Sequence, residues 1–155
     1  MMAKVNFKIE GMKELEKALR KLGDVPQKHV TSSSRKAMNI VLKQARATAP
    51  YETGALSKGM KLVGERSRSK GKKIYQVVFD RQYNHIFQKP NKDGKITGYY
   101  PVSQEYGFFA RDGSYIPGYR FIHDSLAENT GNIDKTIVDE MKKKIDAEIA
   151  KVGLK

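Results

Sequence analysis

The first residues of the chain alternate between apolar and polar side chains and then change to a helical spacing. Val5, Phe7 and Ile9 alternate with polar residues, which predicts a half-buried strand. Between residues 15 and 22 apolar side chains recur every three or four positions, and Gly23 follows them. This second pattern predicts a short helix that ends at the glycine.

The longest apolar stripe predicts one long helix over residues 26–49. Its apolar side chains recur at three- and four-residue spacing, and Pro50 ends it because the residue before a proline avoids the helical region. We expect fraying or a break at residues 31–34, where a threonine and three serines compete for backbone hydrogen bonds. Helical spacing also predicts a short helix over residues 121–127 and a last helix over residues 133–152.

Strand-forming residues are concentrated between these helices. Residues 60–65 and 74–79 predict a hairpin joined by a long loop at about 64–73. Residues 91–95 form a turn signal, and strand or irregular segments are expected on either side of it, at 85–88 and 96–100.

Residues 111–119 are rich in turn-forming residues and predict a surface loop. Helices and strands are segregated along the chain, which predicts an α+β fold: an antiparallel sheet with a long helix and C-terminal helices packed on one face. A length of 155 residues suits a single domain over residues 1–155.

The composition excludes several classes of protein. The chain has no cysteine, which rules out disulfides, thiolate metal sites and cysteine nucleophiles. No apolar run approaches the ~20 residues that span a bilayer, and the first residues do not resemble a secretory signal, so we expect no membrane partner.

The net charge is +13 and is unevenly distributed: residues 58–73 contain seven basic residues and one acidic residue, a net +6 that includes the predicted loop at 64–73. A strongly basic chain favours acidic partners, nucleic acid among them. The loop is either a solvated hairpin tip or a surface that faces DNA or an acidic protein, and we expect residues 67–73 to be mobile in the free subunit. Its candidate partner-binding residues are the five cations Arg66, Arg68, Lys70, Lys72 and Lys73.

The sequence offers no catalytic constellation. His29, His85 and His123 are far apart and lack a metal-binding spacing, and Asn84-His85 followed by Asn91 lacks the second histidine of a nuclease motif. Four acidic residues lie in or near turns, and none is marked as one of a pair: Asp80, Asp93, Glu105 and Asp112. We therefore expect no enzyme activity, no cofactor and no metal. A hydrolase remains one of the alternative functions, and only the scattered acidic residues and His85 support it.

Aromatic residues crowd the segment from residue 99 to residue 119. Tyrosine combines apolar area with a polar tip, which suits protein interfaces, although packing under a loop is the alternative for any one of these rings. The candidate partner-binding residues here are Phe108, Phe109, Tyr115 and Tyr119.

Four patches in order resemble one family, the minor tail, tail-completion or head–tail joining proteins of long-tailed bacteriophages and prophages. The opening has a glycine followed by Met-Lys-Glu-Leu at residues 11–15, and the first long motif is Ala-Pro-Tyr-Glu-Thr-Gly-Ala-Leu at residues 49–56. The other two are Glu-Tyr-Gly at residues 105–107 and Pro-Gly-Tyr-Arg-Phe with a later leucine at residues 117–126. Residues 82–98 look like an insertion. The motif residues expected to shape the scaffold are Pro50, Thr53, Gly54, Leu56, Glu105, Gly107, Pro117, Phe121 and Leu126.

The resemblance implies a virion structural protein of the neck or upper tail, made and assembled in the cytoplasm of the bacterial host. It implies a ring of the chain with itself, six copies being expected, next to connector or tail-tube proteins and close to the DNA path. The alternative function is that of a basic nucleic-acid-binding protein, which the charge supports.

Overall fold

The computed structural model describes residues 25–151 of the chain. The strand predicted at residues 5–9 and the helix predicted at 15–22 lie outside the described residues. The described part is α+β, as predicted, with a long helix, two C-terminal helices and small antiparallel sheets. The helices are α1 (Val25–Thr48), α2 (Ala55–Gly59), α3 (Asn84–Phe87), α4 (Tyr100–Tyr106), α5 (Phe121–Glu128) and α6 (Thr130–Lys151), and a 3₁₀ turn spans Arg81–Tyr83.

Helix α1 runs without interruption through its serine-rich segment, so the expected break at residues 31–34 is wrong. The Ser32 hydroxyl donates to the Lys28 carbonyl oxygen at 3.0 Å, which satisfies it inside the helix. Ser33 is fully buried, and the Lys144 ammonium of α6 lies 3.4 Å from its hydroxyl oxygen. A small side chain is therefore useful here, because α6 packs closely on this part of α1.

The C-terminal helices pack on α1 and close the main core. Leu42 and Ala45 of α1 meet Met60 and Phe121 in one buried cluster. Leu126 was expected to anchor α5 on the core together with Phe121, but it is half exposed, so that expectation is wrong. The helix turns Phe121 and Ser125 inward instead, four residues apart, and Leu126 falls on the outer face.

The segment between α1 and the first strand follows the predicted turn chemistry. Helix α1 ends at Thr48, two residues before Pro50. Gly54 has φ of 73°, a left-handed conformation that favours glycine, and the Thr53 hydroxyl oxygen accepts a hydrogen bond from the Ala55 amide at 3.3 Å. The short helix α2 then buries Leu56 against Phe87, which forms a second core cluster.

The strands form three separate two-stranded antiparallel hairpins within residues 25–151, where the sequence predicted one sheet. The first hairpin is the predicted pair β1 (Met60–Gly64) and β2 (Tyr75–Phe79), and the second pairs β3 (Gln88–Pro90) with β4 (Ile96–Tyr99) around the predicted turn. The third hairpin pairs β5 (Gly107–Phe109) with β6 (Tyr115–Pro117).

Two segments differ in type from their predictions. Residues 111–119 were expected to be an irregular loop, but they supply the turn and the second strand of the third hairpin. Residues 85–87 were expected to be strand or irregular, but they are helical in α3. Helix α4 was not predicted at all. Strand β4 ends at Tyr99, directly before this helix. Pro101 lies in the first turn of α4, where a backbone amide has no partner within the helix, so the missing amide hydrogen of proline does no harm.

Candidate interaction surfaces

The basic loop, residues 65–74, is held in shape by its own hydrogen bonds and by the start of α1. The Ser67 hydroxyl lies within hydrogen-bonding distance of the carbonyl oxygens of Ser69 and Lys72. The Gln27 side chain reaches the loop from α1: its carbonyl oxygen accepts from the Gly71 amide at 2.7 Å, and its amide nitrogen donates to the Lys72 carbonyl oxygen at 3.3 Å. This is more order than the composition of the loop predicts, and the mobility of residues 67–73 stays a prediction.

The loop encloses a basic hollow of about 560 Å³. Its lining residues are Glu65, Arg66, Ser67, Arg68, Ser69, Lys72 and Ile74. Among residues 25–151, no carboxylate lies within ion-pair distance of Arg66, Arg68 or Lys72. The carboxylate of Glu65 instead accepts a hydrogen bond from the Gln76 side chain. Three of the five predicted cations are thus brought together around one hollow.

Lys70 and Lys73, the other two predicted cations, do not line the hollow. The Lys73 ammonium donates to the carbonyl oxygen of Glu65 and lies 5.7 Å from the centre of the Tyr75 ring. The Tyr75 hydroxyl donates to the Thr31 carbonyl oxygen of α1 at 2.9 Å, which ties the first hairpin to the helix. The Lys73 ammonium therefore contacts groups at the base of its own loop and does not face the hollow.

The aromatic groove lies between the second hairpin, helix α4 and strand β5. It has a volume of about 820 Å³ and shares no lining residue with the basic hollow. The aromatic side chains along it are Phe87, Tyr99, Tyr100, Phe108 and Phe109. Phe109 is 75 % exposed, so this groove presents aromatic area to solvent rather than burying it.

Polar groups at the edge of the groove fix one of its tyrosines. The Tyr100 hydroxyl donates to a carboxylate oxygen of Glu52 at 3.0 Å. Burial, together with this carboxylate, raises the pKa of Tyr100 above its ordinary value, and burial raises the pKa of Tyr99. A phenol is already protonated at neutral pH, so Tyr100 is a hydrogen-bond donor there, and the shift extends this state to higher pH.

The third hairpin carries the other predicted aromatic residues. Phe109 and Tyr115 are directly opposite in the strand register, and their ring centres are 5.4 Å apart. Tyr119 follows the hairpin and is 66 % exposed. The structure thus brings Phe108 and Phe109 together along the groove and pairs Phe109 with Tyr115, whereas Tyr115 and Tyr119 do not line the groove. Their role in binding a partner stays a prediction.

Two of the motifs that were noted separately in the sequence meet at the base of this hairpin. Glu105 is buried, and its two carboxylate oxygens accept the backbone amides of Ile122 at 3.0 Å and His123 at 2.9 Å. It therefore caps the start of α5, where a negative charge is favourable. Gly107 has φ of 89° and ψ of −177°, and a Cβ there would overlap the carbonyl oxygen of Ile116. A Cβ at Gly118 would likewise overlap the backbone carbonyl oxygen of Glu105.

The residues weighed for catalysis stay apart or have structural partners. Asp80 accepts a hydrogen bond from the Gln82 amide, in keeping with its predicted turn role, and Asp112 accepts from Ser114; these hydrogen bonds lower the pKa of each carboxyl group. His85 lies on the surface beside the Gln82 carbonyl oxygen, and His29 is buried between α1 and α6. No cluster of three or more histidine or acidic residues that suits a metal exists within the described residues. No helix among them is long and apolar enough to cross a membrane.

Sequence reasoning missed several residues of both surfaces. Gln27 shapes the basic loop from 44 positions away, and no local pattern marks it. The second hairpin, whose turn was predicted but which was assigned to an insertion at residues 82–98 and to no binding surface, forms one wall of the aromatic groove through Pro90, Gly98 and Tyr99. The crowding of tyrosines near residue 100 was the available signal for this wall.

Comparison with known proteins bears on the resemblance drawn from the motifs. Residues 13–86 match the family model described as "Bacteriophage HK97-gp10, putative tail-component". The match includes the Glu-Leu of the opening, all of α1 and the Ala-Pro-Tyr-Glu-Thr-Gly-Ala-Leu motif, and it ends inside the predicted insertion. No curated protein and no solved structure matches the chain. Residues 13–86 are therefore similar to the HK97-gp10-like family of putative bacteriophage tail components, in agreement with the resemblance that the motifs carry.

Proposed function

We propose that the chain is a structural subunit of the phage neck or upper tail, where it completes the tail or joins it to the head. The observation that carries the proposal is the match of residues 13–86 to a family of phage tail components. The subunit works in a ring, for which we expect six copies. A head-to-tail contact between identical subunits closes into such a ring when its rotation fits.

The aromatic groove and the third hairpin supply the contact between neighbouring copies in this proposal. Phe109, Tyr115 and Tyr119 are each more than half exposed. Exposed aromatic clusters on a small protein indicate interfaces, where such side chains become buried anchors. Gly107 and Glu105 fix the hairpin on the scaffold, so its rings are presented in one orientation.

We expect self-association to be weak until the particle supplies a template. Each copy carries a net charge of +13, so copies repel one another in dilute solution. Connector or tail-tube proteins are the expected neighbours that overcome this repulsion. Light scattering at low and high protein concentration should therefore report a monomer or weak oligomer. A tight dimer with a large apolar interface would contradict this expectation.

Removal of the gene from its phage or prophage tests the proposal as a whole. Electron microscopy of the induced lysate should show filled heads and separate tails, and the gene supplied in trans should restore joined particles. Mass spectrometry of purified virions should find the chain in a fixed copy number per particle. Joined, infectious particles made without the gene would overturn the proposal.

A further inference from the structure

The basic hollow gathers cationic side chains to which the assembly proposal assigns no role. It brings the guanidinium groups of Arg66 and Arg68 and the ammonium group of Lys72 around one concave surface. Among residues 25–151 no carboxylate forms an ion pair with these three cations, and the one carboxylate that also lines the hollow, that of Glu65, accepts a hydrogen bond from the Gln76 side chain. Cations gathered on one concave surface repel one another, so an anion bound among them is stabilised.

The shape of the hollow does not depend on a ligand. The Gln27 side chain bonds both the Gly71 amide and the Lys72 carbonyl oxygen, and Ser67 bridges the two sides of the loop. A loop whose backbone is already held loses less conformational entropy on binding than a free one. The cations are therefore presented together before the anion arrives.

The lining favours phosphate groups over a protein partner. Arginine forks match phosphate oxygens in bidentate geometry, and serine hydroxyls at Ser67 and Ser69 are further donors of the kind that contact a nucleic-acid backbone. A protein interface needs apolar anchors at its centre, but Ile74 is the only apolar residue that lines this hollow in the described part of the chain.

The surroundings favour a duplex over a single strand. Binding of single strands relies on aromatic rings on which bases stack. Within residues 25–151 no aromatic residue lines the hollow, and the nearby Tyr75 has the Lys73 ammonium over its ring and its hydroxyl bonded to Thr31. We propose that the basic hollow binds the phosphate backbone of double-stranded DNA without reading its sequence, and that Gln27 is the residue that positions it.

The overall charge of the chain supports the same partner. A net charge of +13 attracts a polyanion from a distance, while the hollow provides the local contacts that hold it. Because affinity of this kind comes from release of counterions, it falls steeply with salt. Three phosphate contacts contribute a slope of roughly 2.7 in a plot of log affinity against log salt concentration.

The test measures binding of a fluorescent 20-base-pair duplex to the purified full chain by anisotropy over a salt series. The test variant combines Arg66→Ser, Arg68→Ser and Lys72→Ser. A matched control removes three positive charges from the exposed turns of the other two hairpins, through Lys92→Ser, Lys95→Ser and Arg111→Ser. Circular dichroism and the unfolding midpoint establish that both variants fold.

The hollow variant should weaken DNA binding at least tenfold at low salt and reduce the salt slope by about 2–3. The control should lose less than threefold, and Gln27→Ala, which keeps every charge, should weaken binding several-fold. Equal losses in both triple variants would overturn the proposal, since binding would then follow net charge alone. Tighter binding of oligo-dT, or equal competition by polyglutamate, would overturn it in favour of a single strand or an acidic protein. If the triple variant does not fold, Arg68→Ser alone must still reduce affinity more than Arg111→Ser does.

This outcome is independent of the ring. The assay uses the isolated chain and duplex DNA, so a failure to assemble into tails leaves its result unchanged. Conversely, a chain that forms rings but binds duplex DNA no better than the hollow variant would leave the assembly proposal intact and refute this one.

Discussion

Helix α1 and the third hairpin carry similar apolar side chains and use them in opposite ways. Helix α1 buries Val41, Leu42 and Ala45 against the C-terminal helices and the first hairpin, at 1 %, 7 % and 0 % exposure. The hairpin leaves Phe109 and Tyr115 at 75 % and 54 % exposure. Burial in one place stabilises the fold, and exposure in the other is what the proposed contact with a neighbouring copy requires.

The contrast has a structural origin in how each element is attached. Helix α1 is long enough for a continuous stripe that α5 and α6 cover. The hairpin has strands of only three residues, too short to form a core of its own. It is held at its base instead, through the Glu105 carboxylate and the close backbone approach of Gly107 and Gly118. Its rings are thus positioned by the fold without being buried in it.

Truncation of core and hairpin side chains should separate the two regions most clearly. Leu42→Ala and Ile145→Ala remove side chains at 7 % and 5 % exposure, so each should lower the free energy of unfolding by about 2–5 kcal/mol. Met38 is only half-buried and should cost less. Phe109→Ala should change stability by less than about 1 kcal/mol, since surface changes are usually small. Urea unfolding followed by circular dichroism measures the free energy of unfolding of all four variants. A loss of about 2–5 kcal/mol for Phe109→Ala would contradict the contrast between a buried and an exposed region.

A methyl group at the base of the hairpin tests how the hairpin is held. Gly107→Ala forces a residue with a side chain into a conformation that is essentially restricted to glycine and overlaps the Ile116 carbonyl oxygen, so it should cost roughly 1–3 kcal/mol or more. Gly113→Ala is the matched control, because its φ of 84° is also positive but a Cβ there meets open space. The control should destabilise the protein less. Equal effects would show that the contact at the base does not matter.

The smallest effect concerns an ion pair at the rim of the helical core. The Lys36 ammonium lies 2.6 Å from Glu140, and this hydrogen bond lowers the pKa of the carboxyl group below its ordinary value of 4.5. A lowered folded-state pKa means that the stabilisation is present above pH 4.5 and is lost as the pH falls through the folded value. Glu140→Gln should therefore lower the unfolding midpoint slightly at pH 7, and the difference should shrink as the pH falls below 4.5. A difference that persists in acid would argue against the ion pair as its cause.

The helical region was largely predictable because its signals are local and repeated. The stripe over residues 26–49 and Pro50 predicted α1 within one residue at each end, and Phe121 marked the start of α5. The break predicted at the serine-rich residues 31–34 was wrong, because competition for backbone hydrogen bonds is only a local tendency. The burial of Ser33 under α6 depends on a helix more than 100 residues away.

The hairpin region was less predictable because its determinants are short or distant. Three-residue strands offer too few positions to show an alternation, so Tyr115–Pro117 was indistinguishable from a loop. Glu105 was recognised as part of a motif, but its bonds to Ile122 and His123 join positions 17 and 18 residues apart. The aromatic groove likewise depends on the second hairpin folding over α4, which no periodicity in the sequence indicates.

Complementation of a phage that lacks the gene tests the central claim, that the exposed aromatic surface is the assembly surface of a tail subunit. The test variant combines Phe108→Ser, Phe109→Ser and Tyr115→Ser. Its matched control replaces three other exposed apolar residues, through Val63→Ser, Leu126→Ser and Val138→Ser. Both proteins should fold and accumulate. The account predicts that the control restores the titre of infectious particles and that the hairpin variant does not. A hairpin variant that folds and restores full titre would contradict it.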